Sequence, residues 1–235
     1  MPKTSQEIFT LFQNLHTKIQ KIKQNSQYPE DDNRNHIFGV LDSQIVFLTM
    51  IFHILDSQHM AQKEPKQMDP MLFHAVVGMS AYEPWVETEL QVISKMSFIT
   101  MCNFMIENFF KTLLSKSTTN NTTGYYNILK EICNLSQISD VEQKSNVIYT
   151  LALYRNAMHN NGIHLPTHST WNDFSITLGN SSFVFSKGRK TGIFFSDLVI
   201  LLDNIVDILD EIVNAQEIKN ISEKIPLTLE NIQEQ

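Results

Sequence analysis

Glycine and proline, which make most tight turns, occur only seven times each in this 235-residue chain. A β-sandwich or barrel reverses direction about every 8–12 residues and draws on these residues each time. So few reversal points call for long segments, and the apolar spacing along most of the chain is helical. Apolar residues make up 42% of the sequence. That is enough for a sizeable core and excludes general disorder. The length suits one large domain or a domain with a helical extension, since domains usually hold roughly 100–200 residues.

Ile8, Leu11, Phe12, Leu15, Ile19 and Ile22 predict a first helix, capped by Thr4 or Ser5. Residues 28–35 (YPEDDNRN) read as a polar loop. A second helix over 37–58 is apolar on nearly every face, so it should be the most buried, with Phe47 and Ile51 in the core. Residues 62–84 collect Pro65, Pro70, Gly78 and Pro84 and read as loops around a short helix at 71–77. Pro84 then opens a helix running to about Ser115, and residues 125–135 resume the pattern after a polar break at 117–124. Ser139 with Glu142 three residues on is a capping-box signature for a helix that ends near Asn161-Gly162.

After Gly162 the period becomes two. Phe174, Ile176 and Leu178 alternate, as do Phe183 and Phe185, around Gly179-Asn180-Ser181-Ser182, which predicts a β-hairpin. Ser196 should cap a last amphipathic helix. The expected fold is mainly α, a bundle of about five or six helices with a small β-hairpin inserted before the last long helix. It forms a single domain over 1–235, with N-terminal helices in 1–60, a helical core over 85–215 and a loose tail over 220–235.

A net charge of −7 argues against a protein that coats nucleic acid by charge alone. RNA would have to be handled at a small local site. Cys102 and Cys133 are too few for a disulfide framework and fit reduced thiols. No basic and apolar leader opens the sequence. The apolar run Ile45 to Ile51 is far short of the ~20 residues that span a bilayer. The expectation is a cytoplasmic protein with no membrane contact.

The segment from Leu153 to Gly162 (LYRNAMHNNG) concentrates polar chemistry beside an apolar helix face. Arg155 and His159 are four apart and stack on one side of the helix; Asn156 and Asn160 stack on the adjoining side. A partly buried guanidinium needs an anion, because desolvating it alone costs several kcal/mol. Glu107 is the one carboxylate in a long apolar run and is expected to face Arg155. A plainer reading also fits. Arg and His in a last turn suit the helix dipole, and Asn-Asn-Gly is good C-cap chemistry. Lys187, Arg189 and Lys190 form a basic turn able to touch an RNA backbone. Gly188 to Gly192 (GRKTG) lacks the spacing of a phosphate loop, and His36, His53, His59 and His74 are too irregularly spaced for a metal site. No metal or cofactor is expected.

Arg155-Asn156 followed by His159 at the end of a late helix resembles the signature of the HEPN superfamily, helical domains that include RNA-cutting toxins and antiviral defence proteins. In that family an arginine precedes a polar residue and then a histidine. Three residues separate Arg155 from His159 here, fewer than the family's usual spacer. The resemblance implies a HEPN-like bundle over 85–215 and a metal-independent endoribonuclease. Arg155, His159 and Asn156 would be catalytic, with Glu107 and Asn160 supporting them. His159 would move a proton, which imidazole does readily near neutral pH. Arg155 would steady charge on the phosphate, and Asn156 and Asn160 would hold the phosphate or orient the imidazole. The resemblance also implies a homodimer, an RNA substrate and a protein partner such as an antitoxin. The alternative is a non-catalytic helical interaction module, with Arg155, Asn156 and Glu107 as a buried polar brace.

Overall fold

A computed structural model describes residues 4–63, 85–117 and 122–226. The short helix expected at 71–77, the cap at Pro84 and the end of the tail lie outside these residues. Within them the chain is mainly helical, with seven helices and one hairpin: α1 (Ser5–Asn25), α2 (Asn33–Lys63), α3 (Trp85–Ser117), α4 (Tyr125–Leu135), α5 (Val141–His159), β1 (Asp173–Leu178), β2 (Ser181–Ser186), α6 (Phe195–Asn214) and α7 (Gln216–Lys219). A 3₁₀ turn at Ser169–Trp171 precedes β1. The mainly α class and the hairpin before the last long helix are as the sequence implies.

Thr4 and Glu7 close α1 with a reciprocal capping box, and Phe12, Leu15 and Ile19 form its buried stripe. α1 lies on α2 and α6, and α3 packs on α2, α4 and α5. α6 is the core helix: Leu198, Leu201, Leu202, Ile205, Leu209 and Ile212 are almost fully enclosed. Its cap differs from expectation. Phe194 is the N-cap and makes no side-chain cap bond, while Ser196 lies inside the first turn. Likewise, Asp140 at φ +55° starts α5, and the Ser139–Glu142 capping box does not form. Ser139 instead accepts a hydrogen bond from Lys144.

α2 corrects a third expectation. Ile37, Phe38, Leu41, Ile45 and Leu48 are buried, but Val46, Phe47 and Met50 are 41%, 47% and 60% exposed. An apolar face records a preference for leaving water, and burial still requires a neighbouring element on that side. Residues Asn33–Asp56 have the length and mean hydropathy (1.8) of a membrane-crossing helix. Yet Asp42, buried within that stretch, accepts hydrogen bonds from Gln20 (2.6 Å) and pairs with His16 (2.7 Å) on α1. Adjacent substitutions should therefore differ sharply. Leu48→Ala is expected to cost about 2–5 kcal/mol, and Phe47→Ala to stay within about 0.5 kcal/mol, as read by chemical denaturation. Equal losses would contradict this orientation of α2.

The loop at 28–35 is not simply a solvated turn. Asp32, Asn33, Arg34 and Asn35 are buried, and α2 starts at Asn33. Arg34 reaches the carbonyls of Ile218, Ile221 and Glu223, and Ile225 is fully buried. Residues 221–226 are thus pinned to the body, contrary to the loose tail expected from residue 220 onward.

Candidate functional site

α5 ends in a Schellman motif. Gly162 N–H donates to the Ala157 carbonyl (2.9 Å) and Asn161 N–H to that of Met158 (3.1 Å). Asn161 and Gly162 have φ of +55° and +79°, the conformation this reversal demands. The chain then pairs with the end of the hairpin. His164 N–H donates to the Arg189 carbonyl (3.0 Å), Gly188 N–H to that of His164 (2.8 Å) and Thr191 N–H to that of Gly162 (2.8 Å). The exposed Lys187, Arg189 and Lys190 are thereby tied to the segment that follows the polar motif.

Inside the motif the side chains divide. Arg155, 29% exposed at its side chain, turns toward α3, where its Nη1 lies 3.5 Å from Glu107 Oε2. The expected Glu107–Arg155 pairing is present, and Lys111 Nζ holds the other Glu107 oxygen at 2.7 Å. Asn156 Oδ1 accepts from Arg155 Nε (3.2 Å) and Nη2 (3.0 Å). Asn160 Nδ2 donates to the Asn156 carbonyl (2.9 Å), so this amide caps the helix end. His159 is exposed, and its ring makes no hydrogen bond among the described residues. Among the described residues neither Asn156 nor Asn160 bonds the imidazole: Asn156 Oδ1 is taken by Arg155 and Asn160 Nδ2 by the helix end.

A cleft of about 280 Å³ opens beside this helix end, lined by Tyr149, Asn156, His159, Asn160, His164 and Trp171 among others. Arg155 is not part of its wall. Two of its lining residues are aromatic, Tyr149 and Trp171, with ring centroids 4.5 Å apart; outside the lining, Tyr126 meets Trp171 edge-on at 4.8 Å. His164 is buried and its Nε2 bonds the Trp171 carbonyl, which fixes the far side of the cleft to the 3₁₀ turn.

Three residues around the Glu107–Arg155 pair escape sequence reasoning. Asn103, one turn before Glu107 on α3, is fully buried, and neither amide atom has a protein partner. Tyr125 and Tyr149 both lie in the field of this ion pair. Burial drives the Tyr125 hydroxyl well above its usual pKa, Glu107 pushes it further, and Arg155 opposes both. Burial also raises Tyr149, with Arg155 and Glu107 again acting in opposite directions. Both phenols are neutral donors at ordinary pH. Asn103 had a signal available, a second polar residue on the Glu107 face at i−4. The tyrosines had none, since aromatic residues at helical spacing normally signify core.

A second cleft, about 570 Å³, separates α1 from α6. Its Lys18 is satisfied by Asp203 (2.8 Å) and Asp207 (2.6 Å), so it offers no unspent cation from that side chain. The chain matches no family model, no curated protein and no solved structure.

Proposed function

We propose that this chain is a metal-independent RNA endonuclease, similar to the HEPN superfamily, whose proton carrier is His159. The observation that carries this reading is the position of His159. It is an exposed imidazole without hydrogen bonds among the described residues, on the wall of a cleft and beside a held arginine. Cleavage would proceed by attack of the ribose 2′-oxygen on phosphorus as the bond to the 5′-oxygen breaks. His159 takes the 2′-hydroxyl proton, and the exposed edge of Arg155 stabilises charge on the phosphate oxygens. Glu107 and Asn156 fix the guanidinium for that role. The leaving oxygen needs a proton from a second donor. A two-fold dimer through the end of α5 would supply it from the second copy's His159. The buried free thiols Cys102 and Cys133 suit a reducing, cytoplasmic setting.

A second reading is favoured by one specific observation: the guanidinium of Arg155 turns to Glu107 and Asn156, away from the cleft. In that reading the three residues are a structural brace and the chain is a non-catalytic interaction module for a protein partner. One experiment separates the two. Purified protein incubated with total RNA in EDTA should fragment it, and His159→Ala should slow this by at least about 100-fold. Equal rates for wild type and variant, or intact RNA with both, would overturn the nuclease reading.

A further inference from the structure

We infer that the cleft beside the end of α5 is a nucleobase subsite, in which the Asn156 and Asn160 amides read the edge of one unstacked RNA base. The inference rests on the RNA-handling reading above and adds the element of substrate selection. It starts from which amide atoms are left over. A guanidinium has only donors, so the Asn156 atom facing Arg155 must be Oδ1. Its Nδ2, a donor, is then the group without a partner among the described residues. The Asn160 atom facing the Asn156 carbonyl must be Nδ2, which leaves Oδ1 free as an acceptor. Both residues line the cleft. Donor and acceptor thus sit one helical turn apart, each locked in orientation by a bond made elsewhere.

The rest of the wall fits the same ligand. At about 280 Å³ the cleft falls just under the usual range for drug-sized ligands, and its scale suits a single planar ring. Tyr149 and Trp171 give it an aromatic surface. Single-stranded RNA is recognised through splayed bases held by aromatic contact and edge hydrogen bonds. The basic turn at Lys187, Arg189 and Lys190 is anchored through its backbone to His164, a wall residue, and offers cations to a flanking phosphate. Arg155 is then a positioning residue for specificity. Glu107 holds it, it holds Asn156, and Asn156 shows its donor to the base.

This chain of orientation makes Asn156→Asp informative. The aspartate keeps an oxygen toward Arg155, but the free group changes from donor to acceptor. Two acceptors on one wall suit guanine, whose pairing edge offers two donors, N1–H and N2–H. The two tryptophans are Trp85 and Trp171, so a Trp85→Phe background leaves one indole N–H signal in a nitrogen–proton correlation spectrum, that of Trp171. Titration with AMP, GMP, CMP and UMP should shift this signal. Asn156→Asp should raise the affinity for GMP relative to the other three by at least about tenfold, the effect of one exchanged hydrogen bond. Asn156→Ala should weaken all four and create no guanine preference. If no nucleotide moves the Trp171 signal, or if Asn156→Asp leaves the relative affinities unchanged, the subsite is refuted. Base binding that survives in a protein unable to cut RNA would refute only the nuclease reading. RNA cutting with nucleotide binding indifferent to Asn156→Asp would refute only the subsite.

Discussion

Replacing Arg34 with methionine is expected to lower the melting temperature by roughly 6–20 °C, from a loss of about 3–5 kcal/mol. The side chain is 4% exposed, and all five of its N–H donors are spent. Nε and Nη2 grip the two Asp32 oxygens at 3.0 and 2.7 Å. Nη1 serves Ile218 and Ile221 (3.1 and 2.9 Å), and Nη2 also serves Glu223 (3.1 Å). Tyr28 covers the guanidinium face at 4.0 Å. Methionine would strand a buried carboxylate and three carbonyls together. Lysine should fare little better, because a point charge with three donors cannot replace the planar fork. Adding Asp32→Asn should recover only part of the loss, since the carbonyls of 218–223 still lack their donor. Hydrogen exchange should show 218–226 opening first. A shift below about 2 °C for Arg34→Met would mean that this network does not hold the C-terminal segment in place.

The Arg34 site also shows where sequence reading stops. Residues 28–35 look like a loop because every local signal is polar, and the partner that buries them lies about 190 positions along the chain, as in the Arg34–Glu223 contact. Local pattern carries no information about that distance. The helices were legible because amphipathic spacing is itself local: Phe12, Leu15 and Ile19 face inward as their spacing requires. α2 failed the same test because a helix apolar all round has no polar face to indicate which side meets a neighbour. At the site, the Glu107–Arg155 pair could be foreseen from charge balance, since each is the obvious partner for the other inside an apolar bundle. The direction of Asn156 could not. It depends on which atom meets the guanidinium, and the far wall of the cleft it borders comes from residues 164–171, whose path is set by backbone pairing with the hairpin.

The hairpin is therefore the element through which stability and site geometry are joined, and Phe185→Ala should show both. Phe185 is fully buried on β2, with ring centroids 4.6 Å from Tyr154 on α5, 5.3 Å from His164 and 6.1 Å from Phe174. Truncation removes the aromatic contacts and leaves a cavity, at about 3–5 kcal/mol. Its neighbour Val184 points to the opposite face and is 58% exposed, so Val184→Ala should cost less than about 0.5 kcal/mol. The contrast tests the register in which Phe174 faces Phe185 and Ile176 faces Phe183 across a two-residue turn. Gly179, at φ +56°, supplies the positive angle at the first turn position. A slip of one residue would exchange the two faces and reverse the ranking of the two variants. Phe185 also touches His164, a wall residue of the cleft, so the destabilised variant should lose nucleotide-induced shifts of Trp171 at temperatures where α6 remains protected from hydrogen exchange. If Phe185→Ala unfolds the whole chain in one step with no such window, the hairpin and the helical core are a single cooperative unit.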